Sequence, residues 1–185
     1  MARRCRPVAL TLVLAVLLVA CGGGGEVRWR DLRLTLPDGW SVFEERDDLL
    51  SIANAPLGEE ADPQEPPEGD VLAVSFTHAP AASPETWRSY IAGLDGAELE
   101  VDRDVEVGGV PARQLIYTSS SSGTDTREMV VVIPGRQVEV LAQPVPFPGD
   151  TGAQESFDAA LPVFEALFAE ASWGAPVDGP GSTGG

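Results

Sequence analysis

An α+β domain is the fold class that this sequence predicts, with an antiparallel sheet flanked by two or three helices. Several short segments alternate apolar and polar residues, which is typical of strands that bury one face, and turn residues separate them. Two other segments, one in the middle and one near the end, carry apolar residues at helical spacing. A sheet combined with amphipathic helices of this kind indicates an α+β arrangement.

The first strands are predicted from alternation and turn chemistry. Leu32, Leu34 and Leu36 share one face of a strand over residues 31–36. The Pro-Asp-Gly sequence that follows favours a turn, because proline presets φ and glycine accepts a positive φ. Residues 59–70 are rich in acids and proline, so we expect a solvated loop there. Further strands are expected over residues 40–43, 49–53 and 71–76.

The middle helix has a clear predicted start. Ser83 is a favourable N-cap, Pro84 fits the first turn, and Glu85 suits the positive end of the helix dipole. Four apolar residues then fall at helical spacing and predict one buried stripe: Trp87, Tyr90, Ile91 and Leu94.

An antiparallel meander of four strands is predicted after this helix. The pair Gly108-Gly109 favours a tight hairpin. We expect residues 119–125 to form a polar loop, and the continuous apolar run 129–133 to form a central strand covered on both faces. The four strands are expected over residues 97–107, 112–118, 129–133 and 138–142.

The last predicted element is a helix over residues 153–171. Pro162 lies inside it, so we expect a kink or two short helices. Four apolar residues form the stripe expected to face the sheet: Phe157, Leu161, Phe164 and Phe168.

Charge disfavours some classes of partner. The chain has 12 basic and 29 acidic residues, a formal net charge of −17. Charge disfavours nucleic-acid binding because phosphate backbones select basic surfaces, and it disfavours electrostatic binding to an anionic bilayer for the same reason, so we expect no nucleic-acid partner.

The N-terminus predicts export and lipid anchoring. Residues 1–6 contain three arginines, and residues 8–20 are almost entirely apolar but too few for a transmembrane helix. The sequence Leu-Val-Ala-Cys at residues 18–21 resembles the lipobox of bacterial lipoproteins. That resemblance implies cleavage before Cys21 and attachment of diacylglycerol to its sulfur, with palmitate-type acylation of its amine in many cases. The alternative is a free thiol at an ordinary cleavage site, and Arg3-Arg4 leaves twin-arginine export open beside the general pathway.

The domain organisation follows from these segments. Residues 1–20 are the predicted signal peptide, and residues 21–26 the lipidated cysteine with a glycine tether. Residues 27–173 are a single α+β domain, and residues 174–185 a disordered tail rich in glycine and proline. Because Cys5 leaves with the signal peptide and Cys21 carries lipid, no disulfide is expected.

Three motifs together resemble one family. The sequence LTLPDGW at residues 34–40, VEVGGVPA at residues 105–112 and FEALF at residues 164–168 are similar, in order and spacing, to PsbP-like and LpqN-type bacterial lipoprotein domains. This resemblance implies a Mog/PsbP-like sandwich of an antiparallel sheet flanked by helices. It also implies non-enzymatic work as an accessory or binding subunit, and it carries over no catalytic residue. The acidic insert at 59–70 departs from the compact pattern of that family.

Catalytic chemistry has little support in the sequence. His78 is the only histidine, there is no lysine, and no G-x-S-x-G nucleophile motif or phosphate-binding loop occurs. Carboxylates without regular spacing do not indicate a calcium site. We therefore expect no enzyme, no cofactor and no metal. The four tryptophans favour core packing over a sugar-binding platform: Trp29, Trp40, Trp87 and Trp173.

These observations predict a membrane-anchored lipoprotein that acts as a non-catalytic binding or accessory module on the outer face of the bacterial cell membrane. Its expected partners are the membrane, through lipid on Cys21, and an envelope protein or a small apolar ligand held between the sheet and a helix. Two alternatives remain, a structural or assembly lipoprotein and, with less support, an envelope-glycan hydrolase.

Overall fold

Two antiparallel sheets and two α-helices make up the described part of the chain. The computed structural model describes residues 25–57, 70–121, 124–145 and 153–175. Numbered in chain order, the large sheet has the strand order β3-β4-β5-β9-β8-β7-β6 and the small sheet the order β1-β2-β10. The strands are β1 Glu26–Trp29, β2 Leu32–Thr35, β3 Ser41–Arg46, β4 Leu49–Ala53, β5 Leu72–His78, β6 Glu98–Val107, β7 Val110–Ser121, β8 Thr124–Ile133, β9 Val138–Pro144 and β10 Ser172–Trp173. The helices are α1 Pro84–Gly93 and α2 Ala153–Glu170, and a 3-10 turn spans Pro134–Arg136.

The large sheet separates two apolar clusters. The main cluster lies between this sheet, α2 and the small sheet, and Phe76, Phe157 and Phe164 are fully buried within it. The second, smaller cluster lies on the opposite face beneath α1, where Ile91 of the helix packs with Leu115 and Tyr117 of β7. The sheet therefore carries a helix on each face, as the α+β prediction requires.

The central part of the prediction is confirmed. β6, β7, β8 and β9 are consecutive antiparallel neighbours, which is the predicted meander. Residues 129–133 are almost completely buried, as expected for a strand covered on both faces. Ser83 caps α1, since its Oγ accepts a hydrogen bond from the Thr86 N–H at 3.1 Å.

The prediction of a polar loop over residues 119–125 is wrong for residues 119–121 and 124–125, and residues 122–123 lie outside the described residues. β7 continues to Ser121 and β8 begins at Thr124. The hydroxyl oxygens of Ser119 and Thr126 face each other across the pair at 2.9 Å. Strands whose two faces are both polar resemble a loop in sequence, because the alternation that marks a strand depends on one buried face.

Three further differences concern single elements. The small sheet contains β1 and β10, two short strands that the apolar pattern did not indicate. Tyr90, placed in the buried stripe of α1, is 53% exposed and lies edge-on to Trp87. Of the two outcomes expected at Pro162, two short helices is wrong, because α2 is one helix that includes Pro162, whereas the kink stays a prediction.

Some predictions fall outside the described residues. They are the signal peptide 1–20, Cys21 with most of its glycine tether, the acidic insert apart from Asp70, and the tail beyond residue 175. Within the described ranges, neither α-helix is long and apolar enough to cross a membrane.

Candidate functional site

The candidate site is the outer edge of the large sheet, formed by β6. β6 pairs with β7 on one side and ends the strand order on the other. Val107 and Val110 close a two-residue turn in which Gly108 and Gly109 both have positive φ, 57° and 76°. A turn of this type makes the closing residues a hydrogen-bonded pair, and hydrogen-bonded and non-hydrogen-bonded pairs then alternate along the ladder.

This alternation decides which backbone groups of β6 point outward. Counting back from Val107, the residues at non-hydrogen-bonded positions are Asp102, Asp104 and Glu106, so their N–H and C=O groups face away from β7. Pro111, which has no N–H, lies opposite Glu106 and fits a position where no donor is needed toward β6. Within the described ranges, the outer edge of β6 therefore presents a row of donors and acceptors that belong to acidic residues, and of these the Asp102 carbonyl already accepts a hydrogen bond from Arg113 Nη2 at 3.1 Å.

The α1 side of this edge carries an ion-pair network centred on Asp102. Arg88 of α1 donates from Nε to Asp102 Oδ2 at 2.7 Å, and Arg113 of β7 donates from Nε to Oδ1. The hydrogen bond from Arg88, and to a smaller extent the one from Arg113, lowers the pKa of Asp102 to about 2. Arg113 also reaches Asp104 at 2.7 Å, but the Asp104 side chain stays 91% exposed. Both arginines are thus paired with carboxylates, and the carboxylate of Asp104 faces solvent although it is paired with Arg113.

The α2 side of the same edge is a cleft of about 380 Å³ between β6 and the helix. Its apolar lining includes Val105 and Val107 of β6 and Phe168 of α2. Arg103 spans the cleft and donates to Glu165 Oε1 at 2.6 Å. The cleft thus lies between the sheet and a helix, where an apolar ligand site was predicted.

Gln114 forms a buried polar floor beneath Arg103. It lies on β7, is 2% exposed, and its Oε1 accepts a hydrogen bond from Arg103 Nε. Its Nε2 donates to the Met129 sulfur at 2.8 Å. These contacts hold the guanidinium of Arg103 over the cleft, because the amide fixes one end and Glu165 fixes the other.

Apolar side chains are exposed next to the start of β6. Among the described residues, the large apolar side chains left exposed are Tyr90 at 53% and Leu99 at 36%. Leu99 pairs across the ladder with Tyr117, and Tyr90 is close enough to Tyr117 to influence its ionisation. Burial, reinforced by a hydrogen bond to Glu128, raises the pKa of Tyr117, which therefore stays neutral. Both exposed groups thus border one buried tyrosine.

The opposite edge of the sheet, β3, differs from β6. Its pairing with β4 is interrupted by a bulge between Val42 and Glu44. The carbonyl at its last residue, Arg46, accepts a hydrogen bond from Trp29 Nε1 at 2.8 Å. The carbonyl of Asp47, just beyond the strand, accepts one from Arg30. Bulges and covering side chains are common protections of sheet edges, so β3 is the less accessible of the two.

Other residues singled out in the sequence lie away from this edge. His78 ends β5, and its Nδ1 is 3.1 Å from the carbonyl oxygen of Gln137. Trp29, Trp40 and Trp173 pack against the main cluster, whereas Trp87 packs against the second cluster on the other side of the sheet. The tryptophans therefore do not form one sugar-binding platform. Within the described ranges, no group of three or more His, Cys, Asp or Glu side chains is arranged to hold a metal ion.

Sequence reasoning did not identify the residues that shape this edge, namely Arg88, Arg103, Arg113 and Gln114. A signal was present in the VDRDVEV sequence of residues 101–107, in which the three valines share one face with Arg103 and the three acidic residues share the other. That pattern predicts a strand with one apolar face, but it does not tell an edge strand from an inner one.

Comparison with known proteins supports the fold of this chain. No protein-family model matches the chain, and no curated protein matches it. Cyanobacterial PsbP (CyanoP) from Synechocystis has a similar structure, with a TM-score of 0.52, 12% identity, and coverage of 87% of this chain and 97% of CyanoP. The Ran-binding protein Mog1p of Saccharomyces cerevisiae gives a TM-score of 0.51 and 13% identity, and the match covers 83% of this chain and 96% of Mog1p.

A weaker match is to LpqN of Mycobacterium tuberculosis, described as involved in cell envelope biogenesis, with a TM-score of 0.44 and 19% identity over 80% of this chain and 84% of LpqN. The two matches above a TM-score of 0.5 share the antiparallel sheet with flanking helices that the sequence motifs predicted. The chain therefore has the PsbP/Mog1-like fold.

Proposed function

We propose that this chain is a lipoprotein of the bacterial cell envelope, anchored through lipid on Cys21, that serves as a non-catalytic protein-binding or accessory module on the outer face of the cell membrane. The observation that carries the binding role is the edge of β6, which has no further strand beside it among the described residues and has outward backbone groups with partly apolar surface on both sides. Mog1p, which has the same fold, is described as a Ran-binding protein, so protein binding is a use this fold already has.

The anchor is supported by the sequence of the N-terminus. A basic start, a short apolar run and a lipobox-like tetrapeptide occur in the order that lipoprotein export requires. Two or three lipid chains on one residue anchor a protein stably in a membrane, whereas a single chain binds it only weakly and reversibly. The six residues from Cys21 to Glu26 reach at most about 20 Å. The domain would accordingly work close to the membrane surface.

The anchor is tested by comparing the wild type with Cys21→Ser in a bacterial host. We expect intact-mass measurement of the wild type to show a chain that begins at Cys21 and carries diacylglycerol, and we expect the protein to fractionate with membranes. Cys21→Ser should lack the added mass and leave the membrane fraction. A wild-type chain without lipid would overturn the anchor.

The binding role is tested by crosslinking on native membranes, again with the wild type beside Cys21→Ser. We expect one envelope protein to be enriched by the wild type and lost with the unanchored form. If no protein is enriched by either form, the accessory role is contradicted.

A small apolar ligand is the second candidate, and the cleft between β6 and α2 favours it. Val105, Val107 and Phe168 give this cleft an apolar part that suits a hydrocarbon group, and the charged residues Arg103 and Glu165 lie beside it. Native mass spectrometry of Cys21→Ser protein purified without detergent would detect a retained ligand. Release of the ligand by Val105→Asp, with the fold unchanged, would place it in this cleft.

A further inference from the structure

We infer that the protein partner adds an antiparallel β-strand to β6 and that this strand alternates arginine or lysine with apolar residues. The inference rests on the proposed binding function and specifies the chemistry of its partner. Three features of the β6 edge support it: the direction of its backbone groups, the different character of its two faces, and its charge.

The backbone favours strand addition. Asp102, Asp104 and Glu106 direct their N–H and C=O groups outward, at a spacing of two residues over a stretch that pairs regularly with β7. The bulge in β6 lies before this stretch, between Leu99 and Val101. An extended peptide beside residues 101–107 would pair with these outward groups, sharing the Asp102 carbonyl with Arg113, and this is the bonding used in β-strand addition.

The two faces of β6 then specify the side chains of the added strand. Partner residues opposite Asp102, Asp104 and Glu106 would project on the α1 side, where the carboxylates of Asp104 and Glu106 are exposed. Partner residues between them would project on the α2 side, over Val105 and a cleft in which Arg103 is already bound by Gln114 and Glu165. Basic groups therefore suit the first set of positions and apolar groups the second.

Charge also decides against a second copy of this chain. In an antiparallel pair of two β6 strands, the acidic side chains of one copy would face those of the other. Like charges directly opposite in a ladder are destabilising, and the chain has a formal charge of −17. A basic partner strand would instead be attracted at the same positions. The partner is therefore a cationic segment of another protein.

The test uses a synthetic probe, a seven-residue peptide that alternates valine and arginine and begins and ends with valine, with both ends blocked. It is titrated into the full mature chain carrying Cys21→Ser, and binding is followed by calorimetry and by backbone amide shifts in NMR spectra. We expect the largest shifts at residues 101–107 and a dissociation constant that rises with salt.

N-methylation provides the matched control, since it leaves the charge and composition of the arginine and valine side chains unchanged. In the proposed antiparallel register the arginine N–H groups face β6 and the valine N–H groups face away. Methylating the arginine nitrogens should weaken binding by about tenfold or more, whereas methylating the valine nitrogens should change it by less than about threefold. Equal effects of the two methylation patterns would overturn strand addition.

A variant of the protein gives a second, independent measurement. Glu106→Pro removes an outward N–H at an edge position where proline is tolerated, and Glu106→Ala removes the same charge but keeps the N–H. We expect Glu106→Pro to bind the probe at least about fivefold more weakly than Glu106→Ala. Equal binding by both variants, or no binding of the probe to the parent chain, contradicts the inference. Either result leaves the crosslinking and lipid measurements unaffected, so failure here is distinguishable from failure of the proposed function.

Discussion

Asp102 ties three elements together through a single carboxylate. Arg88 binds it from α1 and Arg113 from β7, and the Arg113 Nη2 also donates to the Asp102 backbone carbonyl at 3.1 Å. These hydrogen bonds favour the charged form and lower the pKa of Asp102 to about 2 from its ordinary value of 3.8. A carboxylate with a lowered pKa in the folded state stabilises the fold above the unfolded pKa, and that contribution is lost as the pH falls toward the folded pKa.

This linkage gives a pH prediction. Asp102→Asn should lower the free energy of unfolding by about 1 kcal/mol at neutral pH, a value reduced for the partial exposure of the site. Between pH 4 and pH 2 the wild type should lose stability faster than the variant, so the two should converge near pH 2. Denaturant unfolding followed by tryptophan fluorescence measures this difference. Asp95→Asn, at an exposed aspartate after α1, is the control and should behave as the wild type does. A constant difference between Asp102→Asn and the wild type down to pH 2 would contradict the assignment.

At the scale of elements, the hairpin tip between β6 and β7 is anchored to the end of α2 and to β10. The Gly108 N–H donates to the Phe168 carbonyl at 3.2 Å, and Trp173 Nε1 donates to the Val107 carbonyl at 2.8 Å. A Cβ on Gly108 would lie 2.6 Å from the Ala171 carbonyl oxygen, whereas a Cβ on Gly109 would have no atom within 4 Å. Both glycines have a positive φ, but only Gly108 is in close contact with other atoms. Substituting each in turn therefore distinguishes the cost of backbone strain from the cost of a packing clash.

The resulting prediction compares two alanine variants. Gly109→Ala should lower the free energy of unfolding by about 1 kcal/mol, because alanine at a positive φ is strained. Gly108→Ala should lower it by about 3 kcal/mol, because a contact with main-chain atoms adds to that strain. Thermal or denaturant unfolding measures both. Equal losses for the two variants would show that the hairpin tip is not packed against residue 171.

At the scale of the whole molecule, Arg136 joins the two sheets. It lies in the 3-10 turn between β8 and β9, and its Nη1 donates to Asp31 Oδ2 at 2.6 Å and to the Gly174 carbonyl at 3.0 Å. Its guanidinium carbon is also 5.3 Å from the centroid of a Trp173 ring. The side chains of the ion pair are only 15% and 10% exposed, so little solvent screens it. Arg136 thereby links the turn between β8 and β9 of the large sheet to Asp31, between β1 and β2, and to Gly174, directly after β10.

Removing this cation should loosen the small sheet. Arg136→Met keeps much of the side-chain volume but leaves the Asp31 carboxylate nearly buried without its partner, and we expect a loss of about 3 kcal/mol. Hydrogen exchange should accelerate first at β2 and β10, with β7 and β8 less affected. Arg28→Met is the control, because its ion pair with Glu26 is exposed and contributes at most about 1 kcal/mol. Equal effects of the two substitutions would contradict a joining role for Arg136.

The sequence by itself determined the fold class and most of the elements. Local signals were sufficient where one face of an element is buried and where turn residues bound it, as in the Ser83 cap, the Gly108-Gly109 turn and the apolar run at 129–133. These features depend only on residues close together in the sequence, so they can be predicted from the sequence of one chain. The export and lipid signals at residues 1–21 are of the same local kind, and they remain predictions.

Only the tertiary structure decided which strand forms the free edge and what lies beside it. The pairings that leave β6 at the edge, the short strands β1 and β10, and the Arg103–Glu165 contact all join residues far apart in the chain. The polar strand ends at residues 119–121 and 124–126 were missed because side chains that are polar on both faces carry no periodic apolar signal. A sheet edge is defined by the absence of a neighbour in space, and for that physical reason no local pattern of residues identifies it.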